Sequence, residues 1–125
     1  FQGTALKAEI FDRKMVIYNE ILRSVRHVAT QGYPVKKAYR ASFSDAVTDS
    51  RFLFSENVYK QLSEIESMAG RYWIDYTKYS MIGDRSTAEA IKLKGECDRY
   101  VVWFSGRLET LFKLFEPEMR LNITD

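Results

Sequence analysis

The 125-residue chain has one cysteine and one histidine, and these low counts exclude several kinds of chemistry. Cys97 has no second cysteine with which to form an internal disulfide. A structural zinc site is not expected, because such sites draw their four ligands mainly from cysteine and histidine. Nucleophilic catalysis by serine or cysteine usually needs a neighbouring base. His27 lies among polar residues near the end of the first predicted helix, where an exposed or capping role is typical. We therefore expect no metal, no cofactor and no enzymatic activity.

Charge excess, long apolar runs and prolines are also scarce. The chain carries 19 Lys and Arg against 17 Asp and Glu, a net charge of +2. A generic binder of duplex DNA would be strongly basic, so this class of partner is not expected. No apolar run approaches the roughly 20 residues that a membrane span needs. Because the only prolines are Pro34 and Pro117, long helices are expected.

The spacing of apolar residues predicts two helices and an apolar segment in the first half of the chain. Over about residues 4–30, two adjacent apolar stripes give a helix a face wide enough to pack against more than one neighbour. Gly32 and Pro34 should end this helix. A weaker pattern over about 35–49 predicts a short second helix. The following segment 51–54, Arg-Phe-Leu-Phe, is too short for an independent element and is expected to plug the end of the core.

The second half of the chain predicts two more helices. Ser55 is expected to cap a third helix, which Gly83 and Asp84 break. Residues 86–89, Ser-Thr-Ala-Glu, match a capping box for a fourth helix over about 87–115, and Pro117 should end it. The fold class is therefore all-α, an antiparallel helical bundle of three long helices and one short helix. The expected core includes Ile17, Ile21, Leu62, Ile65, Val101, Phe104, Leu108 and Leu111.

The first three residues, Phe-Gln-Gly, match what remains of a tobacco-etch-virus protease tag after cleavage. We therefore treat 1–3 as a tag remnant and 4–125 as a single helical domain. From Thr4 onward the sequence has the composition of a helix interior and has no capping residue.

Basic and aromatic residues alternate around the predicted second helix and form the first candidate site. Basic groups can hold phosphates while aromatic rings stack on nucleobases. The alternative is an ordinary solvated surface, which is the usual role of clustered charges. The candidate ligand-binding residues are Tyr33, Lys36, Lys37, Tyr39, Arg40 and Arg51.

Two further aromatic groups lie on the later helices. Arg99, Trp103 and Arg107 share one face of the fourth helix and could form a partner or stacking site through cation–π contact. Alternatively, the arginine stems cover a tryptophan that is buried against the second helix. On the third helix, Tyr72, Tyr76 and Tyr79 continue an apolar stripe. Because buried tyrosine hydroxyls need polar partners, this end of the helix is expected to face water, an interface or a ligand.

Five stretches of the chain form an ordered pattern: ALKAEIFDRKMVIYNEIL at 5–22, DSRFLF at 49–54, VYKQLSEI at 58–65, YVVWFSGRLETLFKLFEP at 100–117, and the tail EMRL. Together they resemble a group of small bacterial membrane proteins in which one or two transmembrane helices lead directly into a compact helical cytosolic domain. The shared features are an aromatic-acid-basic-basic start, the Arg-Phe-Leu-Phe segment and a Trp-Phe pair late in the last helix. Residues 72–84 depart from the pattern of the group.

The resemblance implies a transmembrane region before the domain and a location on the cytoplasmic side of the bacterial inner membrane. Lys7, Arg13 and Lys14 fit the positive charge of cytoplasmic flanks. One functional class with this architecture is the accessory membrane effector of type III CRISPR antiviral systems, whose soluble domain recognises cyclic oligoadenylate. By this likeness we expect a homo-oligomeric sensor of a nucleotide second messenger. The alternative is a non-enzymatic helical scaffold for protein–protein interaction at the membrane.

Overall fold

The computed structural model describes residues 2–119, which form four α-helices joined by short connections. The helices are α1 (Gln2–Gln31), α2 (Lys37–Leu53), α3 (Glu56–Ser80) and α4 (Ala88–Met119), and this part of the chain contains no strand. They are 30, 17, 25 and 32 residues long. Within 2–119, no helix has an apolar stretch long enough to cross a membrane.

The helices pack as an up-and-down bundle in which α1 contacts α2 and α4, and α3 contacts the same two helices. Contacts join the later part of one helix to the earlier part of its neighbour, so neighbouring helices are antiparallel. The pairs are Arg23 with Tyr39, Arg40 with Trp73, Asp75 with Tyr100, and Glu118 with Lys14. The last pair connects the end of α4 to the first half of α1 and closes the bundle.

All four helices contribute to one hydrophobic core. Of the eight residues expected there, six are buried, and Val101 and Leu108 are partly buried at its edge. Tyr18 and Phe54 both pack edge-on against Phe115, with ring centroids 5.0 Å apart in each pair. These rings fill the end of the bundle where α1 and α3 begin.

Two predicted helix ends are confirmed. Gly32 has φ of +73°, a left-handed conformation that glycine adopts without steric cost, and its N–H donates to the carbonyl of Val28 at 3.0 Å. At the start of α3, the Ser55 hydroxyl accepts a hydrogen bond from the N–H of Val58 at 3.3 Å.

The prediction that the second helix ends before the segment 51–54 is wrong, because the first three residues of this segment are the last turn of α2. The N–H of Phe54 donates to the carbonyl of Ser50 at 2.9 Å, so helical hydrogen bonding continues to the end of the segment. Phe54 is buried, whereas Phe52 is 78% exposed. Of these two rings, only Phe54 plugs the core.

The predicted capping box is also wrong by one residue. Thr87, not Ser86, caps α4, since its Oγ1 accepts from the N–H of Ala90 at 3.2 Å. Ser86 is engaged elsewhere: both its N–H and its hydroxyl donate to Asp84, at 2.9 and 2.6 Å. These hydrogen bonds hold the pKa of the Asp84 carboxyl below its usual range.

Pro117 does not end the last helix, which continues to Met119. Proline removes one backbone hydrogen bond from a helix, but contacts beyond it hold this last turn in place. The Glu118 carboxylate accepts from the N–H and the hydroxyl of Ser55, both at 2.6 Å. The Glu118 carbonyl accepts from Nζ of Lys14 at 2.7 Å.

Replacing Phe104 with alanine should destabilise the domain by roughly 3–5 kcal/mol, as other large-to-small changes in protein cores do. The Phe104 side chain is fully buried, whereas Phe112 on the same helix is 59% exposed and provides a matched control. Phe112→Ala should change the free energy of unfolding by no more than about 0.5 kcal/mol. Urea denaturation of both variants measures the difference. Equal effects would contradict the assignment of the buried face of α4.

Candidate functional site

Accessible aromatic rings and exposed cationic side chains lie together at one end of the bundle, here called the tyrosine end. At this end α1 and α3 finish and α2 and α4 begin. Tyr72 of α3 organises it. This side chain is buried, and its hydroxyl donates a hydrogen bond to the carbonyl of Gly32. Its ring stacks on Tyr100 of α4 at a centroid distance of 5.2 Å, and the Tyr100 hydroxyl donates to Asp75 at 2.9 Å. The end of α1 is therefore tied to α3 and α4 through one side chain.

A cleft of about 570 Å³ opens beside Tyr72, here called the tyrosine cleft. Its lining residues come from α1, α3, α4 and the connection after α1: Gln31, Gly32, Tyr33, Tyr72, Tyr76, Tyr79, Lys94, Cys97, Asp98 and Val101. Tyr33 is 57% exposed and meets Tyr76 edge-on at 6.0 Å. Arg85 lies over the ring of Tyr79, 4.1 Å from its centroid. The cleft thus offers aromatic surface of the kind on which a planar ring can stack.

The charged groups of the tyrosine cleft are paired with each other. Lys94 donates to Asp98 at 2.7 Å, and this hydrogen bond raises the pKa of Lys94. Cys97 is buried, and burial, together with the charges of Asp75 and Asp98, raises the pKa of its thiol. A thiol with a raised pKa is a poor nucleophile at neutral pH. Cys97 therefore serves as a small core residue.

A second, smaller cavity of about 110 Å³ lies between α1 and the start of α2 and is here called the Ser24 pocket. Its lining residues are Arg23, Ser24, His27, Val35, Lys36 and Tyr39. Nε2 of His27 donates to the carbonyl of Pro34 at 3.1 Å, which fixes the ring against the connection between α1 and α2. Arg23 lies over the ring of Tyr39 at 4.2 Å and also forms an ion pair with Glu20. Cationic side chains therefore outnumber acidic ones among the residues that line this pocket.

Five of the six candidate ligand-binding residues lie together at the tyrosine end, and Arg51 does not. Arg51 follows Lys37 by fourteen positions of α2, which is about 21 Å of helix. Arg51 lies near Tyr59 at the opposite end of the bundle, 5.6 Å from the ring centroid. Lys36 and Lys37 are exposed, and Tyr39 is exposed apart from the ring contact with Arg23.

Arg40 has a packing role within this group. Its guanidinium lies 4.0 Å from the centroid of the Trp73 ring and joins α2 to α3. Its Nε is buried and has no hydrogen-bond partner. A charge reversal at Arg40 would disturb this contact, so Lys36 and Lys37 are better positions for testing ligand binding.

The second candidate site, Arg99 with Trp103 and Arg107, is largely occupied by contacts within the chain. The Arg107 guanidinium lies 4.6 Å from the Trp103 ring centroid and donates to Glu64 at 2.9 Å. Because Glu64 belongs to α3, the partner of this face is α3, and the expected contact with the second helix is wrong. Arg99 and Trp103 line a small cavity of about 240 Å³.

Sequence reasoning did not identify Ser24, Arg23 or His27 as parts of a pocket. One signal was available for Ser24, which follows Ile21 by three positions and precedes Val28 by four. It is therefore a polar residue within an otherwise apolar stripe. The approach of Lys36 and Tyr39 to Ser24 depends on how the chain turns after Gly32, which the stripe does not specify. Within 2–119, no three His, Cys, Asp or Glu side chains are arranged to hold a metal ion.

Because Tyr72 and Tyr100 have raised pKa values, the free energy of unfolding of the domain should fall at alkaline pH. Burial, with the hydrogen bond to Asp75, raises the pKa of Tyr100 to about 12 from 10.0, and burial raises that of Tyr72 further. A raised pKa means that the folded state holds the proton more tightly than the unfolded state. The stabilisation is therefore fully present below pH 10 and is lost as pH rises through about 12.

Urea denaturation at a series of alkaline pH values measures this loss. Tyr100→Phe, which has no phenolic proton to lose, should show a flatter dependence than the wild-type domain. The same slope in both proteins would contradict the assigned role of Tyr100.

Comparison of the chain with protein-family models, with curated proteins and with solved structures finds no match. The functional argument therefore depends on the residues and geometry of the tyrosine end.

Proposed function

We propose that this chain is the ligand-binding helical domain of a bacterial membrane protein and that its tyrosine end binds a nucleotide second messenger, with cyclic oligoadenylate as the first candidate. The observation that carries the proposal is the position of the connection 32–36. Tyr33 at its beginning lines the tyrosine cleft, and Lys36 at its end lines the Ser24 pocket. An aromatic surface and a cationic surface therefore lie only three residues apart along the chain.

Base stacking is assigned to the tyrosine cleft. Aromatic side chains bind nucleobases by stacking, each contact contributing roughly 1–3 kcal/mol. Tyr33 is the most accessible ring there, because more than half of its surface is exposed. Tyr76 supports it edge-on and is itself held by an edge contact to Tyr72 at 6.0 Å. A base that enters the cleft would thus meet a ring supported by the core.

Phosphate binding is assigned to Lys36 and Lys37, with Tyr39 beside them. Both lysines are exposed at the beginning of α2, where the helix dipole also favours negative charge. Arg40 contributes by holding α2 against Trp73. Arg51 could join this site only if a second copy of the chain brought it there, so a single domain is expected to bind without it.

We also propose that the domain is attached to the membrane through a segment upstream of α1 and lies on the cytoplasmic side of the bacterial inner membrane. This part rests on the resemblance described above and on the basic residues Lys7, Arg13 and Lys14. The tyrosine end lies at the far end of α1, which is 30 residues or about 45 Å long. A ligand signal would therefore travel along the bundle to reach the membrane.

A second candidate function is a scaffold that docks another protein, and one surface favours it. An apolar groove of about 290 Å³ lies between the first half of α1 and the end of α4. Its lining residues are Phe11, Met15, Tyr18, Phe112, Phe115, Glu116 and Met119. The tyrosine end remains the better candidate, because it combines accessible rings with exposed cations.

Calorimetry with linear and cyclic oligoadenylates at low salt should detect binding to the wild-type domain. Lys37→Glu should weaken it, and Arg51→Glu, the same change at the other end of α2, should not. Affinity should fall as salt rises, because phosphate contacts release counterions. If no oligoadenylate produces heat or raises the melting temperature, the nucleotide proposal is wrong and the scaffold becomes the better account.

Tyr33→Ala tests the stacking role separately. If Tyr33 stacks on a base, its removal should cost roughly 1–3 kcal/mol of binding free energy. Phe52→Ala is the matched control, because Phe52 is an exposed ring at the opposite end of α2. Equal affinities of the two variants would exclude stacking on Tyr33.

A further inference from the structure

The hydroxyl of Ser24 is buried without a partner, which is unusual for a serine in a helix. Such serines commonly donate to a backbone carbonyl one turn earlier. Ser50 donates to Val47 at 2.6 Å, and Ser105 donates to Val101 at 2.9 Å. Ser24 is only 3% exposed, yet its Oγ makes no hydrogen bond. A buried polar group without a partner is costly, and Ser24 is one of the residues that line the Ser24 pocket, so the unpaired hydroxyl points to a ligand there.

The other side chains of the Ser24 pocket are mostly hydrogen-bond donors. Lys36 brings a positive charge, and the guanidinium of Arg23 forms another wall. The Glu20 carboxylate is the acidic group adjacent to this wall, but it accepts from Arg23 and from the Ser42 hydroxyl. Hydrogen bonds from Arg23 and Ser42 therefore already compensate the negative charge of Glu20. The pocket offers donors to a ligand that can accept several hydrogen bonds.

The beginning of α2 adds to this preference. Lys36 occupies the N-cap position and provides no side-chain cap, and the first turn contains no acidic residue. The first N–H groups of an α-helix have no partner within the helix, and the helix dipole makes this end positive. Acidic or hydroxyl side chains normally accept from these N–H groups or offset the positive helix dipole. Here the first residue of the helix is instead another cation, Lys37. The N–H of Tyr39 already donates to the Lys36 carbonyl at 2.9 Å. An anion supplied from outside would satisfy the N–H groups before it.

We propose that the Ser24 pocket binds one phosphate or phosphodiester group, with Ser24 Oγ and Lys36 Nζ as donors. This assignment rests on the proposed function, because it places one phosphate of that ligand. The pocket has about a fifth of the volume of the tyrosine cleft, which suits a single tetrahedral oxyanion better than a nucleoside. Tyr33 and Lys36 are three residues apart, no more than about 10 Å along the backbone. One nucleotide can therefore reach both cavities.

The test measures the affinity of the domain for inorganic phosphate, adenosine, AMP and a linear diadenylate by calorimetry at low ionic strength. Phosphate and AMP should bind with saturation, and Ser24→Ala should weaken both by roughly tenfold or more, as loss of a hydrogen bond to a charged group does. Lys36→Gln should weaken them as well. Ser105→Ala is the control, because this serine lies on α4, away from the pocket, and donates to the carbonyl of Val101.

Stability measurements separate a ligand role from a structural one. Ser24→Ala removes a hydroxyl without a partner and should not lower the melting temperature, whereas Ser50→Ala removes a bonded one and should. The inference is overturned if phosphate and AMP bind Ser24→Ala as tightly as wild type, or if phosphate does not bind at all. Failure of the proposed function looks different: phosphate would still bind in a Ser24-dependent way, but AMP and diadenylate would bind no more tightly than phosphate.

Discussion

The hydrogen bond from the Tyr72 hydroxyl to the Gly32 carbonyl is the contact on which the tyrosine end depends. It spans 40 residues of sequence and joins the end of α1 to the buried face of α3. Gly32 can present its carbonyl there because its positive φ reverses the chain directly after the helix. Tyr72 can reach it because stacking on Tyr100 holds the ring in place. The connection 32–36 therefore starts from a point fixed by the core.

The two cavities follow from this fixed point. Tyr33 leaves the core on the side of α3 and α4 and forms a wall of the tyrosine cleft, whereas Lys36 arrives beside α1 and closes the Ser24 pocket. The contact between His27 and the Pro34 carbonyl holds the middle of the connection. An aromatic surface and a cationic surface thus occupy neighbouring positions at the tyrosine end. This arrangement supports the proposed nucleotide ligand, whose base and phosphate are linked by a short sugar.

Local sequence patterns were enough to predict the all-α class, most of the core and the ends at Gly32 and Ser55, because each depends on spacing or on one residue's conformational preference. The prediction failed where tertiary contacts decide the outcome. Pro117 normally ends a helix, but Glu118 is held by Ser55 and Lys14. Of the candidate ligand-binding residues, Tyr33, Lys36, Lys37, Tyr39 and Arg40 lie at one end of the bundle. Arg51 was grouped with them on composition alone and lies at the opposite end of α2. Ser24 was missed because an unpaired hydroxyl is a property of the packed structure.

The most direct test of the account is nuclear magnetic resonance of the isotope-labelled domain, following backbone amide signals during titration with an oligoadenylate. The account predicts saturable shifts confined to Gly32–Arg40, to the neighbourhood of Ser24 and to Tyr76 and Tyr79, with the signals around Arg51 and Phe112 unchanged. Shifts centred on Arg99–Arg107 or on the apolar groove would contradict it. So would an absence of shifts at ligand concentrations well above that of the protein.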